Sequence, residues 1–299
     1  MQFNFVLTNH RAAELQALDD ILRPLLFGLR AAGHRVVAGI RQLSGPPVVN
    51  IMVEDFSDPA AAREIGAARA AWGAGFRLGV LCPHDIGGLP PARADGLRAA
   101  LPAFDFVWSL APLDRIAPER IAIVQYGFHD SLLGPRLISD PAGRDLDVVV
   151  YGPNSPRLDA LVGKLAAAQL RHFPVRAGTF PDYIVSDLLS RAKTVAVVGG
   201  VPGADAALGP RALKSICNGA LTVAEEGSIA GALAGLLVPC PYDEIPAACR
   251  RIAAEGRFVE RGLEALERLR QMPGMRSGVE AAAGVAAVSS APSVSSGGA

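Results

Sequence analysis

Short apolar segments alternate with longer helical patterns along most of the chain. Residues 3–8, 48–54 and 77–82 are rich in Val, Leu, Ile and Phe, and helical patterns with apolar residues three or four apart separate such runs. Apolar strands separated by helices are typical of parallel sheets covered on both faces, because parallel strands need a crossover connection. We therefore expect an α/β protein with doubly wound parallel sheets.

The alternation pauses once, at residues 134–145, where Pro and Gly accompany polar side chains. We predict a linker there, between two Rossmann-like domains at residues 1–133 and 146–276. Ligands of such sheets bind beyond the carboxyl ends of the strands, so the expected site is a central cleft that both domains face. Residues 277–299 are mostly Ala, Ser, Gly and Val, and we expect them to be a disordered tail.

The charge balance limits the partners of this chain. Lys plus Arg and Asp plus Glu number 29 each, which argues against a broad surface for nucleic acid or for an anionic membrane. No apolar stretch of eighteen or more residues is free of charged side chains, so no membrane span is expected. The first residues do not follow the pattern of a signal peptide.

The four cysteines form no CxxC pair and stand among apolar residues. This pattern favours buried, reduced thiols in a cytoplasmic protein, and it predicts no metal site.

The segment at residues 194–219 gives the strongest indication of a ligand site. An apolar run leads to Gly200, and Pro210 then opens a helical pattern. Proline is favoured in the first helical turn, and the unpaired N–H groups of that turn attract anions. Arg211 and Lys214 share one face of the turn and can neutralise phosphate. The pattern predicts a diphosphate clamp; the alternative is a surface helix with two solvated cations.

Two neighbouring segments could complete such a site. Glu225 and Glu226 follow an apolar run, where a carboxylate could accept hydrogen bonds from a ribose or could simply favour the start of a helix. Gly152 ends the apolar run at residues 146–151, and its turn could approach a phosphate or could be an ordinary tight turn.

The first half of the chain offers one pair for acid–base chemistry. His84 and Asp85 follow the apolar run at residues 77–82. Because histidine titrates near neutrality, this pair could orient or deprotonate an acceptor hydroxyl. A solvated loop histidine is the alternative interpretation.

Taken together, the strand pattern ending at Gly152, the glycine-rich turn and the segment LGPRALKSICNGALTVAE at residues 208–225 resemble the C-terminal donor domain of GT-B glycosyltransferases. The resemblance is closest to the spore-maturation-type branch, in which a Pro-Arg helix runs to Gly-Ala and a strand. The YGF sequence at residues 126–128 is similar to the junction that precedes the second domain of this family.

The resemblance implies a glycosyltransferase with an N-terminal acceptor domain and a C-terminal nucleotide-sugar domain. It further implies a nucleotide-diphosphate sugar as donor, no obligatory metal or cofactor, and an acceptor that is a glycan, a protein or a small molecule. Arg211 and Lys214 would touch the diphosphate, and Glu225 or Glu226 would lie near the ribose.

The chain departs from the family pattern near the same helix. Many retaining members carry two glutamates seven residues apart there, whereas Leu213 and Lys214 occupy that neighbourhood in this chain. Retaining or inverting stereochemistry is therefore open, and so is activity itself. Two alternatives remain: a nucleotide-sugar epimerase on the same fold, and a non-catalytic binding or assembly protein.

Overall fold

The computed structural model describes residues 1–7, 12–39, 42–53, 59–82, 91–110, 120–134, 137–200, 207–229 and 231–288. The strands of these residues form two sheets in which every pairing is parallel, as the alternation of the sequence predicts. None of the helices in these ranges is long and apolar enough to cross a membrane. All four cysteines are buried and unpaired, as predicted.

Sheet A contains the strands of the first half of the chain. They are β1 (Gln2–Val6), β2 (Arg35–Gly39), β3 (Val48–Val53), β4 (Arg77–Cys82), β5 (Phe106–Ser109) and β6 (Ile121–Ile123). The helices that connect them are α1 (Ala12–Ala31), α2 (Pro59–Trp72) and α3 (Pro91–Ala100). The strand order β2-β1-β3-β4-β5-β6 places one apolar core on each face of the sheet.

Sheet B contains the strands of the second half. They are β7 (Leu146–Gly152), β8 (His172–Arg176), β9 (Ala192–Val197), β10 (Leu221–Glu225) and β11 (Val238–Cys240). The helices are α4 (Pro156–Ala167), α5 (Asp182–Arg191), α6 (Leu208–Cys217), α7 (Ile245–Glu255) and α8 (Phe258–Gln271). In the order β11-β10-β9-β7-β8 the winding reverses between β7 and β9, which is where open α/β sheets bind ligands.

The last helix corrects the prediction of a disordered tail. Helix α9 (Met275–Val288) packs on α1 and on sheet A, and the indole Nε1 of Trp108 donates a hydrogen bond to the carbonyl of Ala282 at 2.9 Å. Small side chains allow the close approach, since a Cβ on Gly278 would lie 1.9 Å from the carbonyl oxygen of Gln125. The Ala- and Gly-rich composition of this segment suggests low complexity, but its small side chains let the helix pack closely on the first domain. Residues 289–299 lie outside the described ranges.

The segment predicted as a linker is held by one buried side chain. Arg144 is 1% exposed. Its guanidinium donates to the backbone carbonyls of Ile138, Ala192 and Gly219 at 2.8–3.2 Å. Burial lowers the pKa of Arg144 to about 10. The contacts hold the segment before β7 against the start of β9 and against the turn that precedes β10.

Candidate functional site

The helix with the predicted anion-binding turn begins earlier than the sequence pattern indicates. Helix α6 starts at Leu208, so Pro210 is its third residue and not its first. Proline is tolerated there because the first four N–H groups of a helix have no intrahelical acceptor. The amino end of α6 follows strand β9 in the chain, and Pro210, Leu213 and Lys214 line a narrow crevice.

Arg211 and Lys214 share one face of α6, as predicted, but they are not solvated. The Nζ of Lys214 lies 3.0 Å from Asp20 Oδ1 and 2.6 Å from Asp182 Oδ1, while the Nε of Arg211 lies 3.8 Å from Asp20 Oδ2. Only 5% of the Arg211 side chain and 12% of that of Lys214 are exposed. The alternative of an ordinary surface helix with two solvated cations is therefore wrong.

The carboxylates control the charge of Lys214. Burial by itself would lower the pKa of Lys214, but Asp20 and Asp182 outweigh burial and raise it. Lys214 is therefore a fully charged ammonium group in a low-dielectric site, where charge interactions are stronger than in water.

Asp20 reaches this site from the first domain. It lies on α1, whereas Arg211 and Lys214 lie on α6 of the second domain. Tyr151, at the end of β7 in the second domain, is buried near the same carboxylate. Burial, and then Asp20, raise the pKa of Tyr151 well above its usual value. One first-domain carboxylate thus forms ion pairs with two second-domain side chains and lies near a third, Tyr151.

Further contacts of α1 extend this group of charges to Asp182 on α5. Arg23 on α1 donates from Nη1 to Asp182 Oδ2 at 2.8 Å and from Nε to Asp19 Oδ2 at 3.0 Å. Because Asp182 also contacts Lys214, the groups form one connected network across the domain boundary. Sequence reasoning missed Asp19, Asp20, Arg23 and Asp182, since Asp20 and Lys214 are 194 positions apart.

A cavity of about 290 Å³ opens beside this network, at the ends of β7 and β8. Tyr151 and Phe180 supply aromatic walls, and Arg23, Asp182 and Lys214 supply charged ones. The volume is close to that of a small ligand pocket. The crevice at Pro210, which Ser131 also lines, has a volume of about 20 Å³, enough for about one water molecule.

The point where the winding of sheet B reverses is lined by glycine. A Cβ on Gly152, at the end of β7, would lie 2.5 Å from the carbonyl oxygen of Val198. A Cβ on Gly200 would lie 3.3 Å from Pro153 Cγ. Both predicted glycines therefore belong to one closely packed strand-end region, in which neighbouring atoms leave no room for a side chain at position 152.

Glu225 lies at the end of β10, on the opposite side of β9 from β7. Its Oε1 accepts a hydrogen bond from Arg157 Nη2 at 2.7 Å, and the guanidinium of Arg157 stacks over the Tyr242 ring at 4.0 Å. Within the described residues, Glu225 Oε2 and Arg157 Nη1 are buried without a hydrogen-bond partner. Two buried polar atoms in one ion pair indicate a place for a water molecule or a ligand hydroxyl.

Glu226 does not join these groups. The side chain of Glu226 is exposed, and its backbone N–H donates to the carbonyl of Cys240. His84 and Asp85 lie outside the described residues. The described part of the chain has no group of three or more His, Cys, Asp or Glu side chains arranged to hold a metal ion.

Solved structures match this chain over nearly its whole length. An alpha-glucosyltransferase in complex with UDP and a 13-mer DNA has a TM-score of 0.66 at 9% identity, with 96% of this chain and 100% of the other covered. The T4 phage β-glucosyltransferase with UDP and Mn²⁺ has a TM-score of 0.55 at 13% identity, with 96% and 99% covered. A glycosyltransferase involved in avilamycin A biosynthesis has a TM-score of 0.53 at 15% identity, with 97% and 98% covered.

This chain has the GT-B fold. At identities of 9–15% the likeness shows the architecture alone. No family model matches the sequence, and no curated protein matches it either. The finer assignment to the spore-maturation-type branch stays a prediction.

Proposed function

We propose that this protein is a glycosyltransferase that takes a sugar from a nucleoside-diphosphate donor bound at the carboxyl edge of sheet B. The observation that carries the proposal is the pair Arg211 and Lys214 on α6: Arg211 is buried, and Lys214, 12% exposed, lines a cavity in the interdomain cleft. Arg211, in the first turn of α6, can attract phosphate together with the N–H groups and the dipole of the helix start, and Lys214, in the last turn, adds a second positive charge.

The positions of Gly152, at the end of β7, and of Gly200, after β9, support the same location. Ligands of open α/β sheets bind where the winding reverses, which in sheet B is between β7 and β9. In this proposal the ribose lies towards Glu225, whose free Oε2 accepts a hydrogen bond from a ribose hydroxyl. Arg157 Nη1 is available to a second oxygen of the nucleotide.

The reaction consists of one substitution at the anomeric carbon of the donor. The bond from that carbon to the diphosphate oxygen breaks, the bond to the acceptor oxygen forms, and the acceptor proton passes to a base. Arg211 and Lys214 stabilise the negative charge on the leaving nucleoside diphosphate, which is a large catalytic contribution in sites of this kind. We propose His84, oriented by Asp85, as the base.

The proposal includes transfer without an obligatory metal ion and a glycan, protein or small-molecule acceptor. The balanced charge of 29 basic and 29 acidic residues favours an acceptor other than nucleic acid. One observation favours the non-catalytic alternative: both cations are already paired with carboxylates in this structure.

The first experiment is a thermal-shift screen against UDP, thymidine diphosphate and their sugars, followed by calorimetry on the hits, because a ligand of the folded state raises its stability. We expect the Arg211→Gln, Lys214→Gln double variant to bind UDP at least about tenfold more weakly, through loss of two charged phosphate contacts. Arg251→Gln is the matched control, since Arg251 is an exposed cation on α7.

Equal UDP affinity in the double variant and the parent would contradict the clamp. Binding without sugar transfer to any acceptor, and without donor hydrolysis, would support the binding-protein alternative. Release of a changed sugar in the absence of an acceptor would support an epimerase. Repeating the transfer assay with EDTA tests metal independence directly.

A further inference from the structure

The ion pairs across the domain boundary suggest how the proposed phosphate site is controlled. We infer that Asp20 is an internal anion that occupies the place of a donor phosphate on Lys214 and Arg211, so that nucleotide binding requires α1 to withdraw from α6. This inference rests on the proposed function, because it concerns the same two cations.

The first step of the argument is the occupancy of Lys214. An ammonium group has three N–H donors. Asp20 and Asp182 lie within 3.0 Å of Nζ, and the side chain is 12% exposed. A phosphate oxygen therefore gains Lys214 as a close partner mainly by replacing a carboxylate.

The second step is which carboxylate can leave. Asp182 lies on α5 of the same domain as Lys214, packed beside α6. Asp20 lies on α1 of the other domain, and a relative motion of the domains separates it from both cations at once. Asp20 is therefore the carboxylate that a phosphate can replace when the domains move apart.

The third step is the balance of charge. With α1 in place, Asp19, Asp20 and Asp182 face Arg23, Arg211 and Lys214, and the network is neutral. When α1 withdraws, the second domain keeps two cations and one carboxylate, a net charge of +1. The neutral arrangement repels a further anion through Asp20, whereas the withdrawn arrangement attracts one.

The fourth step is what holds the closed arrangement. The second domain holds Asp20 through two cations, Arg211 and Lys214. A nucleoside diphosphate brings several negative charges to the same donors and can replace a single carboxylate. Donor binding and domain separation are then linked, since each favours the loss of the Asp20 contacts.

The test is calorimetric titration of UDP into the parent and the Asp20→Asn variant. Asparagine keeps the size of the side chain but removes the competing charge, so we expect UDP to bind about tenfold more tightly, within the range usual for coupled sites. Asp187→Asn is the matched control, because Asp187 is an exposed carboxylate on the same helix as Asp182 and pairs only weakly with Arg191, at 3.4 Å.

The outcomes separate the two proposals. Tighter binding by Asp20→Asn alone supports the inference, even if the parent does not bind UDP measurably. Binding by the parent with equal or weaker binding by Asp20→Asn overturns the inference and leaves the proposed function standing. Absence of UDP and thymidine diphosphate binding in both proteins overturns both.

A measurement on the native network keeps the inference testable if Asp20→Asn does not fold. Val37→Cys on β2 and Arg251→Cys on α7 provide exposed labelling sites in the two domains, while the four native cysteines are buried. Saturating UDP is expected to lower the energy transfer between the two dyes. An unchanged or higher efficiency would mean that α1 does not withdraw, contrary to the inference.

Discussion

Replacement of Arg144 by Met tests how far one buried side chain supports the second domain. The guanidinium makes charged hydrogen bonds to the carbonyls of Ile138, Ala192 and Gly219, and the residue is 1% exposed. Methionine fills similar volume but leaves these carbonyls unpaired. Each orphaned buried acceptor costs about 1–3 kcal/mol. Relief from burying a charge offsets part of this, so we expect a loss of about 3–5 kcal/mol.

Urea unfolding followed by far-ultraviolet circular dichroism measures this loss. Both tryptophans, Trp72 and Trp108, belong to the first domain, so their fluorescence follows that domain separately. We expect the dichroism transition to shift to lower urea more than the fluorescence transition does. Arg251→Met, at an exposed arginine, is the matched control and should change stability by less than about 0.5 kcal/mol. A loss below about 1 kcal/mol for Arg144→Met would refute the reasoning.

The remaining predictions concern the last helix and the thiols. Gly278→Ala should release α9 and shift the fluorescence of Trp108 to longer wavelength, because the added Cβ meets the Gln125 carbonyl at 1.9 Å. Gly284→Ala on the same helix has open space and should leave the spectrum unchanged, and equal behaviour of the two would contradict this packing. Burial raises the pKa of Cys217 to about 12 and that of Cys249 to about 11. Both should resist thiol reagents at pH 8 until guanidinium unfolds the chain, and rapid reaction in native buffer would be inconsistent with their burial.

Local pattern predicted much of the fold. The run at residues 146–151 corresponds to β7, and the helical pattern after Pro210 corresponds to α6, because apolar periodicity reports directly on strands and helices. The two-sheet architecture follows from the same alternation.

The groups that neutralise the site could not be found in this way. Asp20 looks like one of several polar residues of an amphipathic helix, and only the folded chain brings it to Lys214. Helix α9 was missed for another reason. Its Ala and Gly residues indicate low complexity when the segment is considered alone, and the helix is stabilised by packing on the first domain, which the local sequence does not show. Pairing over long sequence separations leaves no local trace in a single sequence.

The return of α9 to sheet A makes the first domain discontinuous along the chain. Topologically, residues 146–271 are an insertion within a domain whose core is completed by Met275, Val279 and the alanines that follow. During synthesis the first sheet therefore emerges long before the helix that covers Trp108, and it must wait for the complete second domain. A fragment that ends at the linker would expose this apolar face, so fragments meant to isolate the first domain should carry α9 fused through a short connection.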